Sequence, residues 1–148
     1  MKRKHIGLII ALGVLAVCGI YYLIEKNADN HARVIINGTS FAVHVADTDA
    51  ERRQGLSGRK YIDIREGMLF MFDTPGKYEF WMQDMLLPID IIWMDSNGQV
   101  VLIEQNVSPD SYPQTFGGSV RSHYVLEVAA GVAQELNIQV GNTVQFIL

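Results

Sequence analysis

The sequence predicts a mainly β domain, a compact small β-barrel or sandwich with one or two short helices, preceded by one N-terminal transmembrane helix. The first observation is an N-terminal stretch of 19 residues, Ile6–Ile24, without a charged side chain. The second is that short β-branched and aromatic runs then alternate with Gly, Asn, Asp and Pro turns, a pattern typical of β-rich folds. The third is that only two short segments have helical character.

The N-terminus has the organisation of a signal-anchor. Three basic residues precede the apolar stretch, which as a helix would be about 28 Å long, close to the thickness of the hydrocarbon core. Basic flanks stay inside, so we expect a single-pass cytoplasmic membrane protein with its N-terminus inside. The predicted parts are a basic cytoplasmic end (1–5), a transmembrane signal-anchor (6–24), a tether (25–32) and a domain (33–148) that faces the periplasm or cell exterior.

Two alternatives for this segment stay open. A cleaved signal peptide normally has a shorter apolar region and a small-x-small cleavage site. A lipoprotein signal is suggested by Leu15–Cys18, although the chain stays apolar after Cys18 where a mature lipoprotein would become polar.

Charge and cysteine content exclude several classes of protein. The 148-residue chain has a net charge of −4, and residues 32–148 hold 8 basic and 14 acidic residues, a difference of −6. Such an acidic domain lacks the basic track that nucleic-acid binding requires. The only cysteine lies in the apolar segment, so we expect no intrachain disulfide and no cysteine-based zinc site.

The elements of the exported domain follow from local patterns. Asn37–Gly38 and Ser96–Gly98 separate paired apolar runs, so each predicts a β-hairpin. Thr48 or Asp49 can cap a short helix that ends at Gly55. The remaining predictions are strands over 67–72, 78–83, 88–95, 99–104 and 124–128, a long loop over 106–119, a short helix over 130–137, and a strand pair or strand end over 138–146.

Several segments in this order resemble the bacterial and archaeal family called domain of unknown function 192. The residues that carry the resemblance are Glu51–Arg59, Gly67–Phe70, Phe80–Asp84, Pro88–Ile92 and Tyr124–Glu127 with Gly131 downstream. The resemblance covers roughly residues 34–146 and implies a small, mainly β fold. It implies no particular activity. Asp84 and Met85 stand where family members often have Asn and Thr.

The candidate ligand-binding residues are polar or aromatic side chains in unusual settings. Trp81 shares a strand face with Gln83, and a tryptophan among polar neighbours can stack on a ligand or be covered as core. Asp90 lies in an apolar run, where a carboxylate needs a partner. It can form a structural ion pair, with Arg59 the first arginine we consider, or a hydrogen bond at the start of the strand, or it can bind a ligand. Tyr112 and Phe116 in the long loop complete the predicted platform.

Asp84 and Asp90 are the only candidate catalytic residues, because a pair of carboxylates can divide into acid and base or cleave a glycosidic bond. This pair predicts, as the alternative function, a cell-envelope hydrolase. The absence of a complete catalytic motif favours a binding or assembly module instead. We expect no cofactor, no metal and no nucleic acid as partners; the expected partners are the membrane through residues 6–24 and a small polar or glycan ligand or an envelope protein.

Overall fold

Nine strands and two short helices make up most of residues 32–148, the part of the chain that the computed structural model describes. The predicted anchor at 6–24 lies outside these residues. Within residues 32–148, no helix has the length and apolar character needed to cross a bilayer. The elements are β1 (Arg33–Ile36), β2 (Thr39–Ala46), α1 (Asp49–Gln54), β3 (Glu66–Gly76), β4 (Phe80–Trp81), β5 (Ile89–Met94), β6 (Val100–Val107), a 3-10 turn (Pro109–Ser111), β7 (Thr115–Phe116), β8 (Ser122–Ala129), α2 (Val132–Glu135) and β9 (Val144–Ile147).

Seven of the strands form one sheet in the order β6-β5-β8-β3-β2-β1-β9, and β4 pairs with β7 separately. All neighbours in the large sheet are antiparallel except β2 and β3, which are parallel. A bridge between Gln99 and Thr143 and a 2.9 Å hydrogen bond from Val100 N to Asn142 O connect the two ends of the sheet. The sheet is therefore curled into a half-barrel, which agrees with the mainly β prediction.

The two predicted hairpins are confirmed. Asn37 and Gly38 both have positive φ, 50° and 78°, and they connect β1 to β2 with Ile36 opposite Thr39. This backbone suits Asn-Gly because it matches the right-handed twist of the flanking strands. The second hairpin joins β5 to β6 around Gly98.

The sheet has a separate hydrophobic core on each face. Side chains alternate along β5, so that Ile92 and Met94 belong to the first core and Ile91 and Trp93 to the second. Every residue of β5 is buried, as expected for a strand covered on both faces. α2 contributes to the first core, whereas the turn after α1 contributes Leu56 to the second.

Candidate functional site

A groove with a volume of about 200 Å³ opens on the face of the sheet that carries the second core. We call it the aromatic groove. α1 and the following turn form one wall, β3 and β8 form the floor, and the chain from Tyr78 to Met85 forms the other wall. Its lining residues are Asp49, Arg52, Arg53, Gln54, Gly55, Leu56, Ser57, Phe70, Phe72, Tyr78, Glu79, Phe80, Trp81, Met85 and Glu127.

The first wall is fixed by the caps of α1 and by one arginine. Thr48 accepts a hydrogen bond from the Glu51 amide, and the Glu51 carboxylate accepts one from the Thr48 amide, which completes a capping box. Gly55, with a φ of 50°, ends the helix as predicted. Arg52 Nη1 donates to the Met71 carbonyl at 2.9 Å, which holds α1 against β3.

Aromatic side chains build the second wall. The Phe72 and Tyr78 rings are stacked with centroids 3.5 Å apart, and Phe80 packs edge-to-face against Phe70 at 4.8 Å. The buried Trp93 indole donates to the Tyr78 carbonyl at 3.1 Å and so positions this segment. The alternation predicted for 78–83 is confirmed, because Tyr78, Phe80 and Met82 are more buried than the residues between them.

The floor of the aromatic groove contains a buried carboxyl group, Glu127, which is only 4% exposed. Its neighbours across the sheet are Met68 on β3 and Ile91 on β5, both apolar and buried. The Leu56 amide hydrogen-bonds to the carboxyl group, but Oε2 has no hydrogen-bond partner. Unsatisfied buried polar atoms are uncommon in native structures, and of the three residues within 32–148 that hold one, Glu127 is the one that lines the aromatic groove.

Burial decides the charge of Glu127. Removal from water raises the pKa of its carboxyl to about 8, while the hydrogen bond from the Leu56 backbone acts in the opposite direction. At neutral pH the group therefore holds its proton and can both donate and accept a hydrogen bond.

The rim of the groove carries four charged side chains. Arg52 Nη2 lies 2.6 Å from Asp49 Oδ1, and this arginine lowers the pKa of Asp49. The Glu79 carboxylate accepts a hydrogen bond from Thr115 Oγ1 at 3.4 Å. Arg53 is exposed and, within residues 32–148, makes no hydrogen bond or ion pair. Its charge contributes to the lowered pKa of Asp49, while its exposed guanidinium keeps its hydrogen-bond donors for other partners.

A second depression, the outer groove, adjoins the aromatic groove. Arg53, Gln54, Ser57 and Trp81 line both, and Gly58, Gln83 and Asp84 line the outer groove alone. Ser57 Oγ donates to the Gln83 carbonyl, and the Gly58 amide donates to the Asp84 carbonyl, each at 2.9 Å. The structure thus brings together three sequence candidates: Trp81, Gln83 and Asp84.

Two other candidates lie outside both grooves. Arg59 is exposed just beyond the turn after α1, and it lines neither groove. Tyr112 is half exposed in the long loop and also lines neither groove. The same loop does reach the site through β7, because Thr115 pairs with Trp81 and Phe116 with Phe80.

Asp90 has hydrogen bonds within the fold, one of the two structural roles that its position predicts, and not the ion pair. It is fully buried, and its carboxylate accepts hydrogen bonds from three backbone amides: Asn106 at 2.8 Å, Gly131 at 3.2 Å and Ala133 at 2.8 Å. Its partners are therefore amides rather than Arg59. Asp90 faces the first core, because it pairs with Val128 of that core. Asp84 lines the outer groove instead, so the structure does not bring Asp84 and Asp90 into one cleft.

The residue that sequence reasoning missed is Glu127. It lies between Leu126 and Val128 in a strand that the sequence predicts correctly. The sequence analysis includes Glu127 only in a segment that resembles the family and assigns it no role in a site. A carboxyl group within an apolar strand was the signal that singled out Asp90, and the same signal applies to Glu127. The cluster of aromatic side chains in the groove is not predictable from local sequence, since Phe70 and Phe80 meet only through tertiary packing.

Comparison with known proteins agrees with this description. The profile of the family DUF192, described as an uncharacterised ACR, matches residues 32–146. The chain belongs to this family. No curated protein is detectably similar to it.

Two solved structures resemble this DUF192 domain. One is a proposed transcription regulator from Sinorhizobium meliloti 1021, with 28% identity and a TM-score of 0.72 over 78% of this chain and 92% of that one. The other is a protein of unknown function from Novosphingobium aromaticivorans DSM 12444, with 30% identity and a TM-score of 0.71 over 78% of this chain and 83% of that one. The match covers nearly all of the first relative's chain, and the corresponding residues 32–148 are one compact unit of this chain.

Proposed function

We propose that the DUF192 domain of this chain is a binding module that takes a small ligand in the aromatic groove. The observation that carries this proposal is that Glu127 lines the groove and that its buried Oε2 has no hydrogen-bond partner. A ligand that supplies the missing hydrogen bond would gain binding free energy, because a buried polar atom without a partner is costly. Apolar walls with a few convergent polar groups are typical of small-molecule sites.

The lining residues favour binding over catalysis. Among the described residues that line the aromatic groove there is no histidine and no cysteine, so the common pairs of nucleophile and base are not available there. The charge of the domain does not favour the role in transcription proposed for the Sinorhizobium relative. Residues 32–148 hold 14 acidic and 8 basic residues, a balance that opposes binding to the phosphate backbone of DNA.

The proposal is tested by thermal unfolding of residues 32–148 against glycan fragments, sugars, aromatic acids, inorganic anions and divalent metals. A compound at about 100 times its dissociation constant adds about 2.7 kcal/mol, which raises the Tm of a domain of this size by several degrees. We expect a shift that is lost in Trp81→Ala and Glu127→Leu and kept in Tyr112→Ala. A shift that survives both groove variants would contradict the proposed site.

We also propose that residues 6–24 anchor the domain in the cytoplasmic membrane with the domain outside. Support comes from the charge-free run and the basic residues before it. The test is protease digestion of spheroplasts that express the chain with a C-terminal epitope. We expect the epitope to be removed in intact spheroplasts, and Leu15→Arg to release the chain from the membrane fraction. Protection of the epitope would contradict this topology, and loss of membrane attachment in Cys18→Ser would favour a lipid anchor.

A further inference from the structure

We infer that the aromatic groove selects a small ring-containing anion that places a hydrogen-bond acceptor, such as a carbonyl oxygen, against Glu127 and its negative charge against Arg53. This inference rests on the proposed function and adds the chemical class of the ligand. Three regions of the groove support this inference: the floor, the aromatic side chains and the rim.

On the floor of the groove, the buried Oε2 atom of Glu127 has no hydrogen-bond partner. The Leu56 amide already binds the carboxyl group, and Met68 and Ile91 flank it on the sheet, so no cation lies beside it on those strands. Because burial keeps its proton at neutral pH, the carboxyl can donate a hydrogen bond to an uncharged acceptor. A ligand ammonium group would instead require the buried carboxyl to ionise.

Along the walls, the ligand would meet rings. Phe72 and Tyr78 are stacked on each other, and Phe80 lies between Phe70 and Trp93 with edge-to-face contacts to both. Ring systems of this kind pack best against a planar or apolar body, through offset-stacked or edge-to-face contacts. Trp81 is 48% exposed, which leaves its face available to the outer part of such a ligand.

At the rim, two arginines and two carboxylates surround the groove, and Arg53 is the cation that we assign to the ligand's negative charge. Arg52 forms an ion pair with Asp49 and donates a hydrogen bond to the Met71 carbonyl. On the opposite wall, Glu79 accepts a hydrogen bond from Thr115. Arg53 remains as an exposed guanidinium that lines both grooves, and a guanidinium binds carboxylate or phosphate through paired hydrogen bonds.

The test uses residues 32–148 and four matched probes: para-acetylbenzoate, para-ethylbenzoate without the acceptor, para-methylacetophenone without the charge, and para-acetylbenzylammonium with the opposite charge. Affinity is measured by calorimetric titration at about pH 6.5, where Glu127 is protonated. We expect para-acetylbenzoate to bind about tenfold more tightly than the ethyl and neutral probes, the size expected for one hydrogen bond to a charged or buried group. We expect the cationic probe to bind most weakly.

Variants assign each part of the preference. Arg53→Gln should weaken both benzoates about fivefold or more, while Arg59→Gln, an arginine outside the groove, should not change them. Glu127→Leu should remove the advantage of the acetyl over the ethyl group. Glu127→Gln keeps a hydrogen-bond donor, so it should retain that advantage. Wild type should lose affinity above about pH 8, where Glu127 ionises, and Glu127→Gln should not.

The outcomes separate the two proposals. Equal or tighter binding of the cationic or neutral probe, with loss in Trp81→Ala, would overturn the ligand class and leave the binding function standing. Failure of all four probes also overturns the ligand class, whereas the broader panel decides the binding function independently. An effect of Arg59→Gln equal to that of Arg53→Gln would overturn the role given to Arg53.

Discussion

Asp90 on β5 and Glu127 on β8 are buried carboxyl groups on neighbouring strands, and their side chains leave opposite faces of the sheet. The register makes this clear, because Asp90 pairs with Val128 and Ile91 pairs with Glu127. Asp90 is saturated by three backbone amides, whereas Glu127 keeps one oxygen without a partner. One carboxyl therefore has its hydrogen bonds within the fold, and the other is the polar group on the floor of the proposed binding site.

Replacing Asp90 should destabilise the domain. Its carboxylate binds the amide of Asn106 and two amides at the start of α2, whose N-cap Gly131 provides no side-chain hydrogen bond. In Asp90→Asn, one oxygen becomes an NH₂ group that faces a backbone donor, which should cost about 2–4 kcal/mol. Denaturant unfolding of residues 32–148 measures this cost.

The matched control for Asp90 is Asp84→Asn. Asp84 is exposed and has a φ of 55°, a conformation that asparagine also tolerates. The change should alter the free energy of unfolding by less than about 0.5 kcal/mol. Equal effects of the two substitutions would contradict the structural role given to Asp90.

Glu127 should make the stability of the domain fall as pH rises. Its pKa is about 8 in the folded protein, above the ordinary value of 4.5. Between these two values the folded state keeps a proton that the unfolded chain releases, so the free energy of unfolding decreases with increasing pH. Glu127→Gln cannot ionise, so it lacks this pH dependence. The free energy of unfolding of the variant, relative to that of wild type, should therefore rise on the order of 3 kcal/mol from about pH 5 to pH 8.

Denaturant unfolding at several pH values measures this difference. Glu135→Gln, at an exposed position on α2, removes the same type of charge outside the groove and should follow the wild-type curve. A constant difference between Glu127→Gln and wild type across this range would show that Glu127 is not buried as described.

The sequence predicted local features better than the site. Asn37–Gly38, the cap at Thr48 and the alternation at 78–83 depend on neighbouring residues, and all three appear in the structure. The parallel pairing of β2 with β3 depends on chain reversal through α1, which no local pattern encodes. The groove requires that pairing as well as the β4–β7 contact, so its lining could not be listed in advance.

The sequence also could not rank the two carboxyl groups. Asp90 and Glu127 both interrupt apolar strands, and only the register shows which side chain meets backbone donors and which meets a cavity. The choice depends on Gly131 and Ala133, which lie more than 40 residues after Asp90 in the chain. Local patterns identify a buried carboxyl group, whereas its role depends on partners that are distant in the chain.

Trp81 should contribute to binding and little to stability. Its side chain is 48% exposed and lines both grooves, so Trp81→Ala should change the free energy of unfolding by less than about 1 kcal/mol. The same variant should weaken a groove ligand about tenfold, as expected for the loss of an aromatic contact at a binding site. Parallel unfolding and calorimetric titration with para-acetylbenzoate measure both effects.

Tyr112→Ala is the control for Trp81, because Tyr112 is equally exposed but lies outside both grooves. It should leave both measurements close to wild type. If Tyr112→Ala weakened binding as much as Trp81→Ala, the ligand would have to extend to the long loop.

Gly117 lies against Trp93, whose indole positions one wall of the groove. A Cβ atom at this position would lie 2.4 Å from Trp93 Nε1, the atom that donates to the Tyr78 carbonyl. Gly117→Ala should therefore displace Trp93 and, with it, the Tyr78 segment that forms one wall of the groove.

The cost of this displacement can be separated from backbone strain by comparison with Gly141. Gly117 and Gly141 have nearly equal φ values of 93° and 94°, but a Cβ at Gly141 would meet no atom within 4 Å. Gly141→Ala should cost about 1–2 kcal/mol from the backbone alone, and Gly117→Ala about 2–3 kcal/mol more because the buried core is overpacked. Only Gly117→Ala should also weaken para-acetylbenzoate, measured at a temperature where both variants are folded. Equal binding by the two variants would mean that Trp93 does not position the wall of the groove.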